Sequence, residues 1–134
     1  MLHRTLISAD LILDGLIGYS LRGAPSGRAA ELIGWANRQT APILALDVPS
    51  GFDAISGTIH DPIIRADATL TLALPKSGLQ AEGMAGTVGA LYLADISVPQ
   101  TLYQRLSQPF DVPAFADGDI LRLAPASASR AREA

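Results

Sequence analysis

Ile43-Leu44-Ala45-Leu46-Asp47 is an unbroken apolar run that ends in a carboxylate, with Pro42 before it and Pro49-Ser50-Gly51 after it. A strand covered on both faces loses the alternation of a half-exposed one, so this run reads as a strand of a buried parallel sheet. The same pattern recurs on either side. Ala9-Asp10-Leu11-Ile12-Leu13-Asp14 precedes it, and Ala68 to Leu74, closed by Pro75, and Gly89 to Asp95 follow it. Between the first two runs, Ala30, Leu32, Ile33, Trp35 and Ala36 stand at helical spacing within Arg28 to Arg38. Ser26 is the expected N-cap of that helix, and Glu31 and Arg38 are placed to complement its dipole. Shorter helical segments are expected at Lys76 to Glu82 and Pro99 to Leu106. Strand, helix, strand in this order implies right-handed crossovers and an α/β fold with a mostly parallel sheet.

The bulk properties narrow the function. The chain has 134 residues, 49% of them hydrophobic and 17% charged, with a net charge of −3. Such a balance builds a packed core but no basic face for nucleic acid. Cysteine is absent, which excludes disulfides, thiolate metal sites and a cysteine nucleophile. Asp10 and Asp14 interrupt the apolar stretch that a signal peptide would need after Met1 to Ile7, and no apolar run is long enough to span a bilayer. The expectation is a soluble, cytoplasmic protein.

Ligands of open parallel sheets bind beyond the carboxyl ends of the strands. Asp14 and Asp47 would both lie there, with the loops that follow them. Pro49-Ser50-Gly51 fixes a sharp turn that can aim the Ser50 hydroxyl and nearby carbonyls at a ligand or cation. Oxygen donors from Asp, Ser and backbone suit hard cations rather than soft metals. Gly18-Tyr19-Ser20-Leu21-Arg22-Gly23 is a glycine-bearing loop that allows close backbone approach, and Arg22 offers a phosphate partner. His3 and His60 are isolated and read as surface residues, Trp35 as core and Asp95 as structural, while Asp53 either caps the turn after Ser50 or belongs to the site. Asp117-Gly118-Asp119 lacks the glutamate and spacing of a calcium loop and reads as a turn.

Together these segments resemble the NAD(P)H-hydrate epimerase family, the YjeF N-terminal domain. The residues that carry the resemblance are Asp14-Gly15-Leu16-Ile17-Gly18-Tyr19-Ser20-Leu21-Arg22-Gly23 and Asp47-Val48-Pro49-Ser50-Gly51-Phe52-Asp53. Thr71-Leu72-Ala73-Leu74-Pro75-Lys76 and Leu91-Tyr92-Leu93-Ala94-Asp95-Ile96-Ser97-Val98-Pro99 follow in the family's order, so the match covers residues 9–99. The resemblance implies a Rossmann-like three-layer α/β/α sandwich with a mostly parallel sheet. It implies an isomerase that interconverts the R and S forms of hydrated NADH and NADPH, with a partner dehydratase acting on one epimer. By resemblance Asp14 and Ser50 are ligands of one potassium ion per subunit. Gly18, Tyr19, Ser20, Leu21, Arg22, Gly23, Ala24 and Asp47 would contact the hydrated cofactor. Asp47 is the first candidate for the catalytic acid or base and Lys76 a weaker one. A homodimer is left open.

The family's Asn-Asn-Gly-Gly-Asp phosphate loop has no counterpart here, so the sheet is expected to lack its N-terminal strands. Residues 1–125 are read as the C-terminal part of the domain and 126–134 as a disordered tail. Phe115 to Leu123 resembles the closing segment of stand-alone members. The alternatives are a non-catalytic nucleotide-binding or scaffold module derived from the same domain, or a remnant that does not fold alone.

Overall fold

The structure is a computed structural model of the chain and describes residues 9–105, 115 and 118–124. In chain order it holds β1 (Ile12–Asp14), α1 (Gly27–Ala36), β2 (Ile43–Leu46), β3 (Ala68–Leu72), α2 (Ala85–Val88), β4 (Ala90–Ala94), α3 (Gln100–Tyr103) and β5 (Ile120–Arg122). The strands form one sheet in the order β1-β2-β3-β4-β5. The first four run parallel, and β5 returns antiparallel along β4. The mostly parallel α/β fold is therefore as the sequence implied.

The order also explains where the helices lie. Each step from β1 to β4 moves one place in the same direction, and right-handed crossovers then put their connections on one face. Ile33 and Ala36 of α1 accordingly pack on Ile43 and Ala45 of β2, joined by Ile64 and Ala66. Val88 and Met84, at α2, pack on Leu91 of β4 together with Val48, Phe52 and Leu79. The register puts Leu13 opposite Leu44, Leu46 opposite Leu70 and Ala94 opposite Ile120, so these share the other face. There Leu13, Leu46 and Ile120 are 60%, 40% and 57% exposed. β1 forms one edge of the sheet.

Several local expectations change. Ser26 occupies the N-cap position, but its hydroxyl makes no capping bond, and α1 ends at Ala36 before reaching Arg38. The chain leaves α1 through Asn37, whose Nδ2 donates to Ile63 O at 2.7 Å and whose Oδ1 accepts from Arg65 N–H at 2.9 Å. That pair of bonds ties the long loop before β3 to the end of the helix. Lys76 to Glu82 is only a 3₁₀ turn, Ser77–Gln80, and β3 stops at Leu72. His60 is not a free surface residue: its Nε2 is buried and has no hydrogen-bond partner. Trp35 packs against the α1 core as expected. Within Phe115 to Leu123, Ile120–Arg122 form β5, whereas His3, Asp117 and residues 126–134 lie outside the described residues. No helix among the described residues is long and apolar enough to cross a membrane.

Candidate functional site at the carboxyl ends of the strands

Asp14 is the last residue of β1, and its carboxylate is buried, 2% exposed. What it meets is the turn after β2. Gly51 takes φ +108, and a Cβ there would come within 2.6 Å of Pro62 O, so only glycine fits. This turn brings Ser50 N–H within 2.8 Å of Asp14 Oδ2, and Ser50 Oγ within 2.6 Å of Asp14 Oδ1. Ser50 Oγ also accepts from Ile17 N–H at 2.9 Å and lies 3.3 Å from Ile17 O. The three segments that carry Asp14, Ile17 and Ser50 are thus knotted around one hydroxyl that is fully buried. No ion pair among the described residues reaches Asp14. A buried carboxylate that meets only neutral donors is costly without a counter-charge. Its neighbours Ser50 Oγ and Ile17 O are the hard oxygen donors that an alkali ion takes.

The second carboxylate stands one strand further. Asp47 adopts φ +66, and Val48 N–H donates to Leu46 O at 2.9 Å, closing a three-residue γ-turn at the end of β2. This is a strained arrangement for a residue other than glycine. It recurs at the end of β3, where Ala73 takes φ +63 and Leu74 N–H donates to Leu72 O at 2.7 Å. Each turn is anchored to the next strand in the same way, by Asp47 N–H to Leu70 O at 2.8 Å and Ala73 N–H to Ala94 O at 3.0 Å. A third left-handed residue, Ser97 at φ +62, follows β4 and like the others stands two residues before a proline.

Within its turn Asp47 bends toward β3. Its Oδ1 accepts from Leu72 N–H at 3.1 Å, from Thr71 Oγ1 at 3.4 Å and from Lys76 Nζ, which also donates to Leu72 O at 2.8 Å. The Lys76 and Asp47 side chains are 24% and 19% exposed. Oδ2 of Asp47 has no hydrogen-bond partner among the described residues. The site thus combines a closed, buried oxygen cluster with a clamped carboxylate that keeps one oxygen free.

The loop Gly18 to Ala24 begins at the Ser50 knot, through Ile17, and is anchored by the buried Leu21. Tyr19 is 64% exposed, and Ser20, Arg22, Gly23 and Ala24 are exposed beside it. Thr71 and the Leu72 amide are site residues that the sequence did not single out. Asp53 and Asp95 both cap turns with their carboxylates, Asp95 in the structural role expected of it. Asp53 accepts from Ser56 Oγ, Ile55 N–H and Ser56 N–H, and those bonds, the hydroxyl's first, hold its carboxyl below the ordinary value of 3.8. Asp95 Oδ1 accepts from Ser97 N–H at 2.7 Å. Tyr103, whose hydroxyl lies 3.4 Å from Ala73 O, has its phenol pushed up by burial and then by the charge of Asp95.

Comparison with known proteins places the chain in a family. The model of the YjeF-related protein N-terminus matches residues 1–78. The NAD(P)H-hydrate epimerase of Dehalogenimonas lykanthroporepellens is 47% identical over 115 residues, 86% of this chain and 45% of that protein. The bifunctional NAD(P)H-hydrate repair enzyme Nnr of Moorella thermoacetica is 41% identical over 97 residues, 72% of this chain and 18% of its own length. The crystal structure of yeast ynu0, YNL200c, shares the fold with a TM-score of 0.65 at 22% identity, over 85% of this chain and 46% of that one. The chain spans about half the length, or less, of the relatives it matches.

Proposed function

The chain belongs to the YjeF-related protein N-terminus family, and from that premise we propose that it is an NAD(P)H-hydrate epimerase, an isomerase acting on hydrated NADH and NADPH. The observation that carries this reading is the pairing, after adjacent strands, of the Asp14–Ser50 oxygen cluster with a carboxylate that offers one free oxygen. Bifunctional repair enzymes among the relatives support a dehydratase as functional partner. We assign the activity to the cytoplasm, where NADH and NADPH are held.

The hydrated carbon of the substrate carries both a hydroxyl and the ring nitrogen. Breaking its C–O bond leaves a planar, electron-poor carbon, and return of the hydroxyl to the opposite face gives the other epimer. A group that donates a proton to the departing hydroxyl and recovers it on return is required. Asp47, protonated at Oδ2, would fill that role. Once that proton has passed to the departing hydroxyl, the carboxylate left behind would also stabilise the electron-poor carbon, and it takes the proton back when the hydroxyl returns. The exposed part of the Gly18 to Ala24 loop supplies glycine backbone and the Arg22 guanidinium for the phosphates.

Asp14, Ser50 and the Ile17 carbonyl would hold a potassium ion, which supplies a fixed positive charge beside the cofactor when bound. In this role Ser50 gives up one hydrogen bond and the buried charge of Asp14 gains a partner.

Two measurements test the proposal. The chain should interconvert the R and S forms of hydrated NADH, followed by chiral chromatography, and Asp47→Ala should slow this at least about a hundredfold. A chain that binds no nicotinamide nucleotide would sink the reading. Potassium chloride should raise the melting temperature above that in choline chloride of equal ionic strength, and Asp14→Asn should abolish the difference. Equal melting in both salts would remove the ion from the site.

A further inference from the structure

The two γ-turns isolate what is particular to Asp47. Asp47-Val48-Pro49 and Ala73-Leu74-Pro75 end adjacent strands with the same backbone, but only the first carries a functional side chain. The register of β2 with β3 ends at Leu46 opposite Leu70, two residues short of Leu72. The carboxylate of Asp47 takes over: its Oδ1 receives Leu72 N–H at 3.1 Å, so a side chain continues the ladder by one step. Lys76, which begins the 3₁₀ turn after β3, then bridges that same oxygen and the carbonyl of Leu72. Thr71 Oγ1 completes the set.

A carboxylate oxygen has two lone-pair sites, and three donors at Oδ1 leave it none for a ligand. Two donors hold to one residue of β3: Lys76 touches Leu72 O while Leu72 N–H touches Asp47. The carboxylate plane is therefore fixed by the strand rather than by its own side-chain torsions. Lys76 spends two of its three ammonium protons on this arrangement, which makes it a poor proton shuttle.

We infer that Lys76 is a positioning residue: with Leu72 N–H it saturates Oδ1 of Asp47, so that the carboxylate meets its ligand through Oδ2 alone. This rests on the reading of Asp47 as the group that contacts the hydrated cofactor. It replaces the expectation that Lys76 is itself an acid or base.

The experiment compares wild type, Lys76→Met, Lys76→Arg and Asp47→Ala in the full chain, by amide exchange at Leu72 and by epimerisation of hydrated NADH. Lys76→Met should speed Leu72 exchange about fivefold to tenfold. It should lower kcat by roughly tenfold or more while KM stays within about twofold, because the group acts on alignment rather than on binding. Lys76→Arg, which keeps the charge and several donors, should recover most of both. Unchanged Leu72 exchange in Lys76→Met overturns the clamp, and so does a raised KM with unchanged kcat, the mark of direct ligand contact. If Asp47→Ala keeps wild-type turnover, or the wild type has none, the functional reading fails, and the role of Lys76 in turnover fails with it. If Asp47→Ala is inactive but Lys76→Met is not, only the present inference is lost.

Discussion

Asp14 and Asp47 close neighbouring strands of one sheet, yet the fold treats them in opposite ways. Asp14 lies in regular strand, almost wholly buried, with both oxygens engaged by Ser50 and no ion pair among the described residues. Asp47 sits in a strained turn, partly open to water, with one oxygen crowded by donors that include an ammonium and the other free. The first carboxylate is built to organise chain segments and the second to present an atom. Position at a strand end therefore does not define a role. The charge and saturation of the surroundings do.

The contrast is most severely tested by removing each side chain in turn. Asp14→Ala orphans the buried Ser50 N–H and frees the Ile17 segment, and should cost about 2–3 kcal/mol in urea denaturation. Asp47→Ala loses donors that water can partly replace, and should cost about 1 kcal/mol. Equal losses would erase the distinction between the two. A smaller effect, of opposite sign, isolates the turn from the carboxylate. Ala73→Gly relieves the left-handed φ without touching a functional group and should stabilise by about 1 kcal/mol. Asp47→Gly relieves the same strain but should still be no more stable than wild type. Were both glycine variants stabilised alike, the hydrogen bonds to Oδ1 would count for nothing.

The smallest effect concerns a third carboxylate, Asp53, half-buried in its own turn, as a reference for the other two. The hydrogen bonds of Asp53 lower its folded-state pKa relative to the unfolded chain. Its contribution is thus present above the ordinary value of 3.8 and fades as pH falls through the lowered one. Amide exchange at Ile55 and Ser56 should accelerate across that acidic window in wild type. In Asp53→Asn it should show no such step.

Much of this was legible in the sequence, for identifiable reasons. The strands at Ile43 and Ala90 are near-continuous apolar runs, that at Ala68 is interrupted only by Thr69 and Thr71, and each has a proline or glycine beside it, a signature that a parallel sheet leaves. Asp14, Ser50 and Asp47 could be picked out because strand ends and a Pro-Ser-Gly turn are local patterns. The left-handed φ at Asp47 and Ala73 was not readable, because it is imposed by Leu70 and Ala94 on the next strand. Two shared residues in Val48-Pro49 and Leu74-Pro75, an aliphatic before proline, are too short a resemblance to announce a common turn. Lys76 was noticed as a chemical group, but its partner lies 29 residues away. The missing Ser26 cap bond and the buried His60 nitrogen depend likewise on neighbours that no local spacing encodes.

The paired turns also bear on how such a rim can be remodelled. Ala73 occupies a ready-made socket: the backbone is already bent as at Asp47 and anchored to the following strand in the same way. Replacing alanine by aspartate changes one side chain, and no loop has to be rebuilt to receive the new group. The scaffold thus separates the invention of a backbone seat from the choice of what sits in it, and chemistry can be exchanged along the sheet one side chain at a time.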